Sequence, residues 1–279
     1  MNWHQALLAG IIQGLTEFLP VSSSGHLIIY NTLFVEMEDA NLAFTIYLHL
    51  ATLMSVIIVF HKDVWFLARE FFTSIADALR GNLSFNSPER RFLLMVIIAT
   101  IPAVIAGLTI KMLKFKYILE NIFIVAVMLI VTSIFMFLVD RFGQGKYTEA
   151  DAPYKSSLLV GILQAIAILP GLSRSGSTIF GGLLGGLKKE FAIKFSFILS
   201  IPVILGAALL ELIEAAKMGS LGVDTANLLI GFTAAMICGI ISISFIKLLI
   251  INNKFYIFGI YCLFASAIAF LAGFGIIRF

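Results

Sequence analysis

Long, nearly uncharged apolar runs dominate this sequence, and they limit its fold more than any other feature. Six of the runs approach the length of about 20 residues that a helix needs to cross a membrane. The chain is 60% hydrophobic and only 13% charged, whereas a water-soluble domain is about 25% charged. The sequence therefore predicts an all-α integral membrane protein, a polytopic helical bundle with about six full spans. The spans are expected at Leu42–Phe60, Phe92–Ile110, Ile118–Val139, Phe195–Ala216, Leu228–Ile251 and Phe255–Ile277.

Two further apolar stretches, Ala6–Ile29 and Leu158–Leu187, are interrupted near the middle by a proline and a run of small polar residues. Because proline ends the helix that precedes it, Pro20 and Pro170 leave only about half a span on either side. Irregular backbone at membrane depth is tolerated where protein or water covers it. We expect each stretch to form a re-entrant helical hairpin, which enters the membrane and turns back.

The two broken stretches also resemble each other after a shift of 151 residues without a gap. Broken helices at corresponding places in two halves of a membrane protein point to a midplane site between repeats. We predict one transmembrane domain over residues 1–279, with inverted-repeat halves at about 1–155 and 156–279. The matching pairs include Gly10 and Gly161, Ile11 and Ile162, Gln13 and Gln164, Ser22 and Ser173, Ser24 and Ser175, and Gly25 and Gly176.

Charges lie mainly in the connections between the runs. The 61–91 connection has five Lys and Arg residues and the 140–155 connection has three, against three in the 111–117 connection between them. The first two are therefore expected to share the cytoplasmic side, with the first hairpin opening outward and the second inward. Val64–Leu79 mixes aromatic and charged residues like an amphipathic helix at the membrane interface. Lys188, Lys189, Glu190 and Lys194 are expected to form a solvated loop near the second hairpin, with contact to lipid headgroups as the alternative. No basic soluble face is present, so no nucleic-acid partner is expected.

The first polar motif runs from Gln13 to His26. Gln13 and Glu17 share one helix face, and an acid inside an apolar span is a functional-site hypothesis; structural pairing with a neighbouring helix is the alternative. After the break, Ser22, Ser23, Ser24 and Gly25 offer hydroxyls and free backbone N–H groups to an anion, or simply allow close helix packing. His26 offers a nucleophile, a general acid or a ligand; the alternative is a histidine that serves only hydrogen bonding. His49, in the next span, is expected to serve hydrogen bonding within the bundle, with catalysis as the alternative.

The second motif is Pro170–Thr178, with Arg174 at its centre. An arginine at membrane depth needs an anionic partner or water. Its planar fork suits phosphate, and the hydroxyls of Ser173, Ser175 and Thr178, with Gly176, complete a cradle for oxyanions. The alternative is that Arg174 only pairs with Glu17. Cys238 and Cys262 lie inside apolar stretches and are expected to be free thiols that act as small hydrophobes.

These motifs resemble those of a known family. Gln13–Glu17 followed by Phe-Leu-Pro-Val-Ser-Ser-Ser-Gly-His is similar to the (Glu/Gln)-x-x-x-Glu element of BacA-type undecaprenyl-pyrophosphate phosphatases, and Pro170–Thr178 is similar to their Pro-Gly-x-Ser-Arg-Ser-Gly-x-Thr element. The resemblance implies removal of the terminal phosphate from undecaprenyl pyrophosphate, which recycles the lipid carrier of cell-wall synthesis. It also implies a bacterial plasma membrane, an active site that faces outward, and bacitracin resistance when the protein is abundant.

The resemblance and the chemistry of the residues together give an expected site. A divalent cation, Mg²⁺ or Ca²⁺, is implied, with Glu17 as its ligand, whereas Gln13 supplies no carboxylate. The expected partners are the polyprenyl pyrophosphate and membrane lipids, and a homodimer is left open. The catalytic set is Glu17, Ser23, His26 and Arg174, and the substrate-binding set is Gln13, Ser22, Ser24, Gly25, Ser173, Ser175, Gly176 and Thr178.

The expected reaction is in-line phosphoryl transfer, which depends chiefly on positioning and charge stabilisation. The attacking group is left open between Ser23, His26 and a water activated by Glu17. The alternative function is a secondary transporter or polyprenyl-lipid flippase with a midplane anion site, because inverted re-entrant hairpins suit that role equally well.

Overall fold

Eleven α-helices make up the regular structure of the residues that the computed structural model describes, apart from one isolated bridge between Tyr147 and Leu187. The described residues are 2–34, 42–82, 87–113, 119, 121–142, 145–217, 224–251 and 254–277. In chain order the helices are α1 (Trp3–Phe18), α2 (Ser23–Phe34), α3 (Leu42–Val59), α4 (His61–Leu79), α5 (Pro88–Met112), α6 (Ile122–Arg141), α7 (Tyr154–Ile166), α8 (Arg174–Leu184), α9 (Lys189–Lys217), α10 (Thr225–Ile251) and α11 (Tyr256–Gly273).

Five of the described helices are long and apolar enough to cross a membrane: α5, α6, α9, α10 and α11. A sixth candidate combines α3 with α4, but the two helices meet at an angle of 94°. The predicted polytopic helical architecture is therefore confirmed. The prolines predicted to be tolerated within spans, Pro102 and Pro202, lie inside α5 and α9.

The outer faces of the spans expose large apolar side chains. Ile105 on α5 is 60% exposed, and Phe264 on α11 is 65% exposed. A water-soluble monomer does not present apolar surface continuously around its helices, whereas lipid is a suitable solvent for it. Inside the bundle, the largest apolar cluster includes Phe18, Phe195 and Leu129, which are fully buried.

Both interrupted stretches form pairs of short helices, as the prolines predict. α1 and α2 have 16 and 12 residues, and α7 and α8 have 13 and 11. At about 1.5 Å per residue these helices are roughly 16 to 24 Å long, which is shorter than the hydrocarbon core of about 30 Å. Each helix pair therefore reaches into the bundle without spanning it.

The two halves of the chain exchange equivalent contacts. α1, the first helix of the first hairpin, packs along α10, whereas α7, the first helix of the second hairpin, packs along α5. Both contacts need glycine: a Cβ on Gly10 would lie 2.4 Å from the carbonyl oxygen of Gly231, and one on Gly161 would lie 2.6 Å from that of Ala99. This reciprocal packing is compatible with an inverted repeat, and the halves at about 1–155 and 156–279 stay a prediction.

One end of the bundle carries α4 and an ion-pair network, and we call it the α4 end. Lys194 Nζ lies 2.6 Å from Asp63 Oδ1 and 2.7 Å from Glu149 Oε2. The prediction that the 61–91 and 140–155 connections share a side is thus confirmed. The prediction of a solvated loop at Lys189 and Lys194 is wrong, because both lie in α9, where Lys189 is buried and lies 3.7 Å from Asp140 Oδ1.

The hairpins enter the bundle from opposite ends. The second opens at the α4 end, where Ser156 at the start of α7 donates to the carbonyl of Gly185 just after α8 (2.6 Å). α9 begins at the same end, so α10 begins at the opposite end. α1 begins there as well, because Gly10 lies beside Gly231 and Gly14 beside Ala235, which makes α1 and α10 parallel.

Candidate active site

The tips of the two hairpins meet inside the bundle. Ser175 Oγ, in the first turn of α8, donates to the carbonyl of Leu19 at the end of α1 (3.2 Å). Gly25, in the first turn of α2, faces Gly171, and a Cβ added to Gly25 would lie 3.1 Å from the Cα of Gly171. Gly171 itself has a φ of +90° and packs on the backbone of Val125. The sequence needs glycine at this junction because two backbones approach each other closely.

The N-terminus of α2 is capped by Ser22. Its Oγ accepts a hydrogen bond from the backbone N–H of Gly25 (3.3 Å) and shares another with Ser24 Oγ (3.3 Å). Ser22 has a φ of +72° and is the one non-glycine residue with positive φ in the described part of the chain. Such a backbone costs about 1 to 3 kcal/mol and persists only where the surroundings hold it.

The N-terminus of α8 repeats this pattern 151 residues later. Ser173 Oγ accepts from the N–H of Gly176 (3.1 Å) and shares a hydrogen bond with Ser175 Oγ (3.1 Å). The N–H of Ser173 donates to Thr132 Oγ1 on α6 (2.9 Å). Two helix N-termini therefore converge, each with free N–H groups and the positive end of a helix dipole, which together favour an anion.

Glu17, in the last turn of α1, connects the hairpins. Its Oε2 accepts hydrogen bonds from Gln13 Nε2 (2.9 Å) and Ser23 Oγ (2.6 Å), and its Oε1 accepts one from Arg174 Nη2. The side chain of Glu17 is only 4% exposed. Three donors thus stabilise the ionised carboxylate of Glu17, whose burial in this interior would otherwise cost free energy.

Arg174, the first residue of α8, is the counter-ion of Glu17. Its Nη2 bonds the carboxylate, whereas its Nη1 is buried and has no hydrogen-bond partner among the described groups. A buried guanidinium nitrogen without a partner is unusual. The arginine fork therefore has a donor available for a second anion beside Glu17.

His49 on α3 faces the same carboxylate. Its Nδ1 lies 2.9 Å from the carbonyl oxygen of Thr45, and its Nε2 lies 3.9 Å from Glu17 Oε2. Because a carbonyl only accepts, Nδ1 carries the hydrogen of the neutral ring. The other nitrogen, Nε2, faces Glu17. The sequence favoured hydrogen bonding over catalysis for His49; its isolation among apolar residues of the span was the signal that could have placed it at the site.

These groups surround a cavity of about 300 Å³. Its polar wall contains Glu17, Arg174 and His49, and its other wall is apolar, with residues of α3 and α9 such as Ile46 and Ile204. A cavity with one charged wall and one apolar wall fits an amphipathic ligand with an anionic head and a hydrocarbon tail.

The predicted site residues divide into two groups. Those that line the cavity are Glu17, Ser22, Ser23, Ser24, Ser173 and Arg174. Gln13 supports Glu17 from behind, and Thr178 shares a hydrogen bond with Ser196 (2.6 Å). The structure does not bring His26 to the cavity wall, since both of its ring nitrogens bond elsewhere. The others that lie behind the wall are Gly25, Ser175 and Gly176. The catalytic and binding roles themselves stay predictions.

The donor set fits a divalent cation that is shared with a ligand, rather than a metal held by protein alone. Within the described residues, no group of three or more His, Cys, Asp or Glu side chains is placed to hold a metal. The cavity lining has one carboxylate, that of Glu17. Mg²⁺ is commonly held by one or two carboxylates together with substrate phosphates, so Glu17 is compatible with that mode.

The fold and site define a class: a polytopic helical membrane protein in which two inverted broken-helix hairpins enclose an acid–guanidinium pair. Comparison with known sequences then gives the family. Residues 6–268 match the model of the family described as "Bacitracin resistance protein BacA", and the chain belongs to this family.

The two free cysteines predicted from the sequence, Cys238 and Cys262, are confirmed.

Curated relatives are similar over nearly their whole length. A protein of Alkaliphilus metalliredigens is 40% identical over 97% of this chain and 98% of its own length. One of Methanobrevibacter smithii is also 40% identical, with the same coverage. One of Thermosipho melanesiensis is 38% identical over 96% of this chain and 98% of its own length. All three are named "Undecaprenyl-diphosphatase".

Proposed function

We propose that this chain is an undecaprenyl-diphosphatase, which hydrolyses undecaprenyl pyrophosphate to undecaprenyl phosphate and inorganic phosphate and so returns the lipid carrier to cell-wall synthesis. Its family and the names of its full-length relatives support this function. The observation that carries the proposal is the cavity in which Glu17 and Arg174 meet beside an apolar wall. The relatives give no support to the transporter or flippase alternative.

The diphosphate binds at the polar wall. Arg174 Nη1 and the N-termini of α2 and α8 donate to its oxygens, and the hydroxyls of Ser24 and Ser173 line the same wall. Fixed donors of this kind stabilise the charge of a transferring phosphoryl group without reorganisation. The polyprenyl tail lies along the apolar wall between α3 and α9 and continues into the surrounding lipid.

Ser23 is the attacking group in this proposal, because its Oγ already donates to Glu17 at 2.6 Å. A nucleophile bonded to a base is the arrangement that activates a hydroxyl. As Ser23 Oγ bonds the terminal phosphorus, its proton passes to Glu17, and the anhydride P–O bond breaks to release undecaprenyl phosphate. Glu17 gives this proton to the departing undecaprenyl phosphate. His49 Nε2 lies 3.9 Å from Glu17 Oε2, beyond direct hydrogen-bond reach, so it would relay the proton through a bridging water.

Water completes the cycle. It attacks the phosphorus of the phosphoserine while Glu17 takes one of its protons, the Oγ–P bond breaks, and that proton returns to Ser23. Inorganic phosphate leaves, and both side chains regain their starting state. Direct attack by a water that Glu17 activates is the competing route, and Ser23→Ala distinguishes the two, since only the first route requires the hydroxyl.

A divalent cation, Mg²⁺ or Ca²⁺, belongs to the proposal. Glu17 and the serine hydroxyls around it are the groups that would hold it together with the diphosphate oxygens. When bound, the cation supplies positive charge that lowers the barrier to phosphoryl transfer.

The proposed location is the bacterial plasma membrane, with the active site facing outward. The positive-inside rule favours the cytoplasm for the α4 end, where the 61–91 and 140–155 connections have eight Lys and Arg residues. The apolar wall includes Ile46 of α3 and Val203, Ile204, Ala207 and Ala208 of α9, which lie toward the opposite end of the bundle. The partners in this proposal are the polyprenyl substrate and membrane lipids; the homodimer stays a prediction.

The deciding experiment measures phosphate release from undecaprenyl pyrophosphate by purified protein in lipid nanodiscs. We expect turnover by the wild type and loss of about 10²- to 10⁴-fold in Glu17→Gln, which removes the base. Arg90→Lys is the matched control, because Arg90 bonds Glu70 and Asp77 far from the cavity. Absence of phosphate release by folded wild-type protein would refute the function. Lipid transfer across liposome membranes without release would support the transporter alternative instead.

A further inference from the structure

His26 uses both of its ring nitrogens outside the cavity. Its Nδ1 lies 2.8 Å from the carbonyl oxygen of Ser22, and its Nε2 lies 2.8 Å from the hydroxyl of Tyr261 on α11. A carbonyl oxygen only accepts, so Nδ1 carries the hydrogen, and the neutral ring accepts from Tyr261 at Nε2. The two rings are also stacked, with centroids 5.5 Å apart and an interplanar angle of 5°. A nucleophile or general acid needs a nitrogen directed at the substrate, and His26 has none.

The carbonyl that His26 holds belongs to the strained residue of the site. Ser22 has a φ of +72°, and its carbonyl also accepts the backbone N–H of His26 at 3.2 Å. A backbone in this region persists only when its surroundings fix it. The ring and the backbone N–H of His26 thus both bond the carbonyl oxygen of Ser22.

The orientation of the Ser22 carbonyl determines the position of Ser23, the proposed nucleophile. It is part of the planar peptide that joins Ser22 to Ser23, so its orientation sets where the N–H and the side chain of Ser23 begin. Ser23 Oγ reaches Glu17 at 2.6 Å, and a rotation of that peptide would break the contact. The C=O and N–H of a trans peptide point in opposite directions. When the Ser22 carbonyl points along α2, the N–H of Ser23 therefore points out of the helix N-terminus, where it is free to meet an anion.

We infer that His26 is a positioning residue, which locks the Ser22–Ser23 peptide through its Nδ1–H, and that Tyr261 fixes the tautomer able to do so. The inference rests on the proposed function, since it specifies how the nucleophile of that reaction is held. It assigns a role to Tyr261, which lies 235 residues from His26 in the chain and in neither sequence motif.

Two isosteric variants separate positioning from chemistry. The amide nitrogen of asparagine occupies the place of Nδ1, whereas that of glutamine occupies the place of Nε2. We expect His26→Asn to keep kcat within about fivefold of the wild type, because it can still donate to Ser22. His26→Gln should lose about 10- to 100-fold in kcat with little change in KM, because the strained turn is released. A His26→Asn protein that melts like the wild type but is as inactive as His26→Gln would overturn the inference.

Tyr261→Phe tests the second half of the inference. We expect it to lower kcat about 2- to 10-fold, the effect of one neutral hydrogen bond. In the His26→Asn background the same change should have no further effect, because asparagine offers no Nε2, and such non-additivity marks residues that act through one another. Tyr256→Phe is the matched control, since Tyr256 lies on the same helix and is also 44% exposed. An additive loss in the double variant would overturn the role of Tyr261.

The tautomer can also be read without activity. Nitrogen-15 spectra of histidine-labelled protein, with the His26 signal assigned by its loss in His26→Asn, should show hydrogen on Nδ1. A ring protonated on Nε2 alone would overturn the inference even if turnover is normal. Failure of the wild type to release phosphate would instead refute the proposed function. The spectrum would still test the His26 tautomer, because it does not depend on activity.

Discussion

Replacing Arg174 with lysine tests how the site recognises phosphate. Arg174 Nη2 bonds Glu17, and its Nη1 is buried without a partner, so the two nitrogens have different roles. Lysine keeps one positive charge for Glu17 but has no second nitrogen in a fixed plane for the substrate. The loss is one charge-assisted hydrogen bond, about 1.5 to 3 kcal/mol. At about 1.36 kcal/mol per factor of ten, kcat/KM should fall roughly 10- to 150-fold.

The assay is initial-rate phosphate release across a range of undecaprenyl pyrophosphate concentrations, beside thermal unfolding of each variant. Arg174→Ala should lose about 10³- to 10⁵-fold, the range seen when a catalytic arginine is removed, and should also melt earlier because Glu17 loses its counter-ion. Arg90→Lys should stay within about twofold of the wild type. An Arg174→Lys protein with kcat/KM within about twofold of the wild type would refute the two-nitrogen account.

Three further predictions concern the nucleophile, the metal and the packing of α1. Ser23→Ala should lose at least about 10³-fold in kcat, whereas Ser24→Ala, which removes a hydroxyl bonded to Ser22, should lose less than about tenfold by the same phosphate assay; equal losses would contradict Ser23 as the nucleophile. A chelator should abolish phosphate release and added Mg²⁺ or Ca²⁺ should restore it, and turnover unaffected by chelator would remove the cation from the proposal. Gly14→Ala should lower the melting temperature, because its Cβ would lie 2.5 Å from the carbonyl oxygen of Ala235, an overpacking that costs about 1 to 3 kcal/mol. Gly107→Ala, with nothing within 4 Å, should not lower it.

The architecture could be predicted from sequence because lipid imposes simple rules. An apolar run of sufficient length must be a helix, since no other open structure satisfies its backbone in hydrocarbon. Pro20 and Pro170 mark breaks for an equally local reason, the missing N–H and the restriction on the preceding residue. The matching hydroxyl pattern around Ser22 and Ser173 also follows from local capping geometry, and both residues cap their helices as the repeat suggests.

Contacts between distant segments could not be predicted in this way. The sequence places His26 six residues from the break and His49 in another span, so proximity along the chain favoured His26. In the structure His49 faces Glu17, and His26 turns toward Tyr261. The same limit applies to Lys194: its neighbours in sequence suggest a loop, whereas its ion pairs with Asp63 and Glu149 come from two other connections.

Charge balance explains why one carboxylate is enough in this cavity. Glu17 and Arg174 cancel each other, and Gln13 bonds Glu17 without adding charge. A bound lipid pyrophosphate brings about two to three negative charges, whereas the two helix N-termini supply only about half a positive charge each. In a low-dielectric interior the remaining negative charge costs free energy. A divalent cation that arrives with the substrate neutralises this charge. A second acid at position 13 would hold such a cation more tightly, but without substrate it would leave the interior with a net negative charge. Gln13 therefore suits a site whose cation comes with the diphosphate, and the chelator experiment tests this reasoning directly.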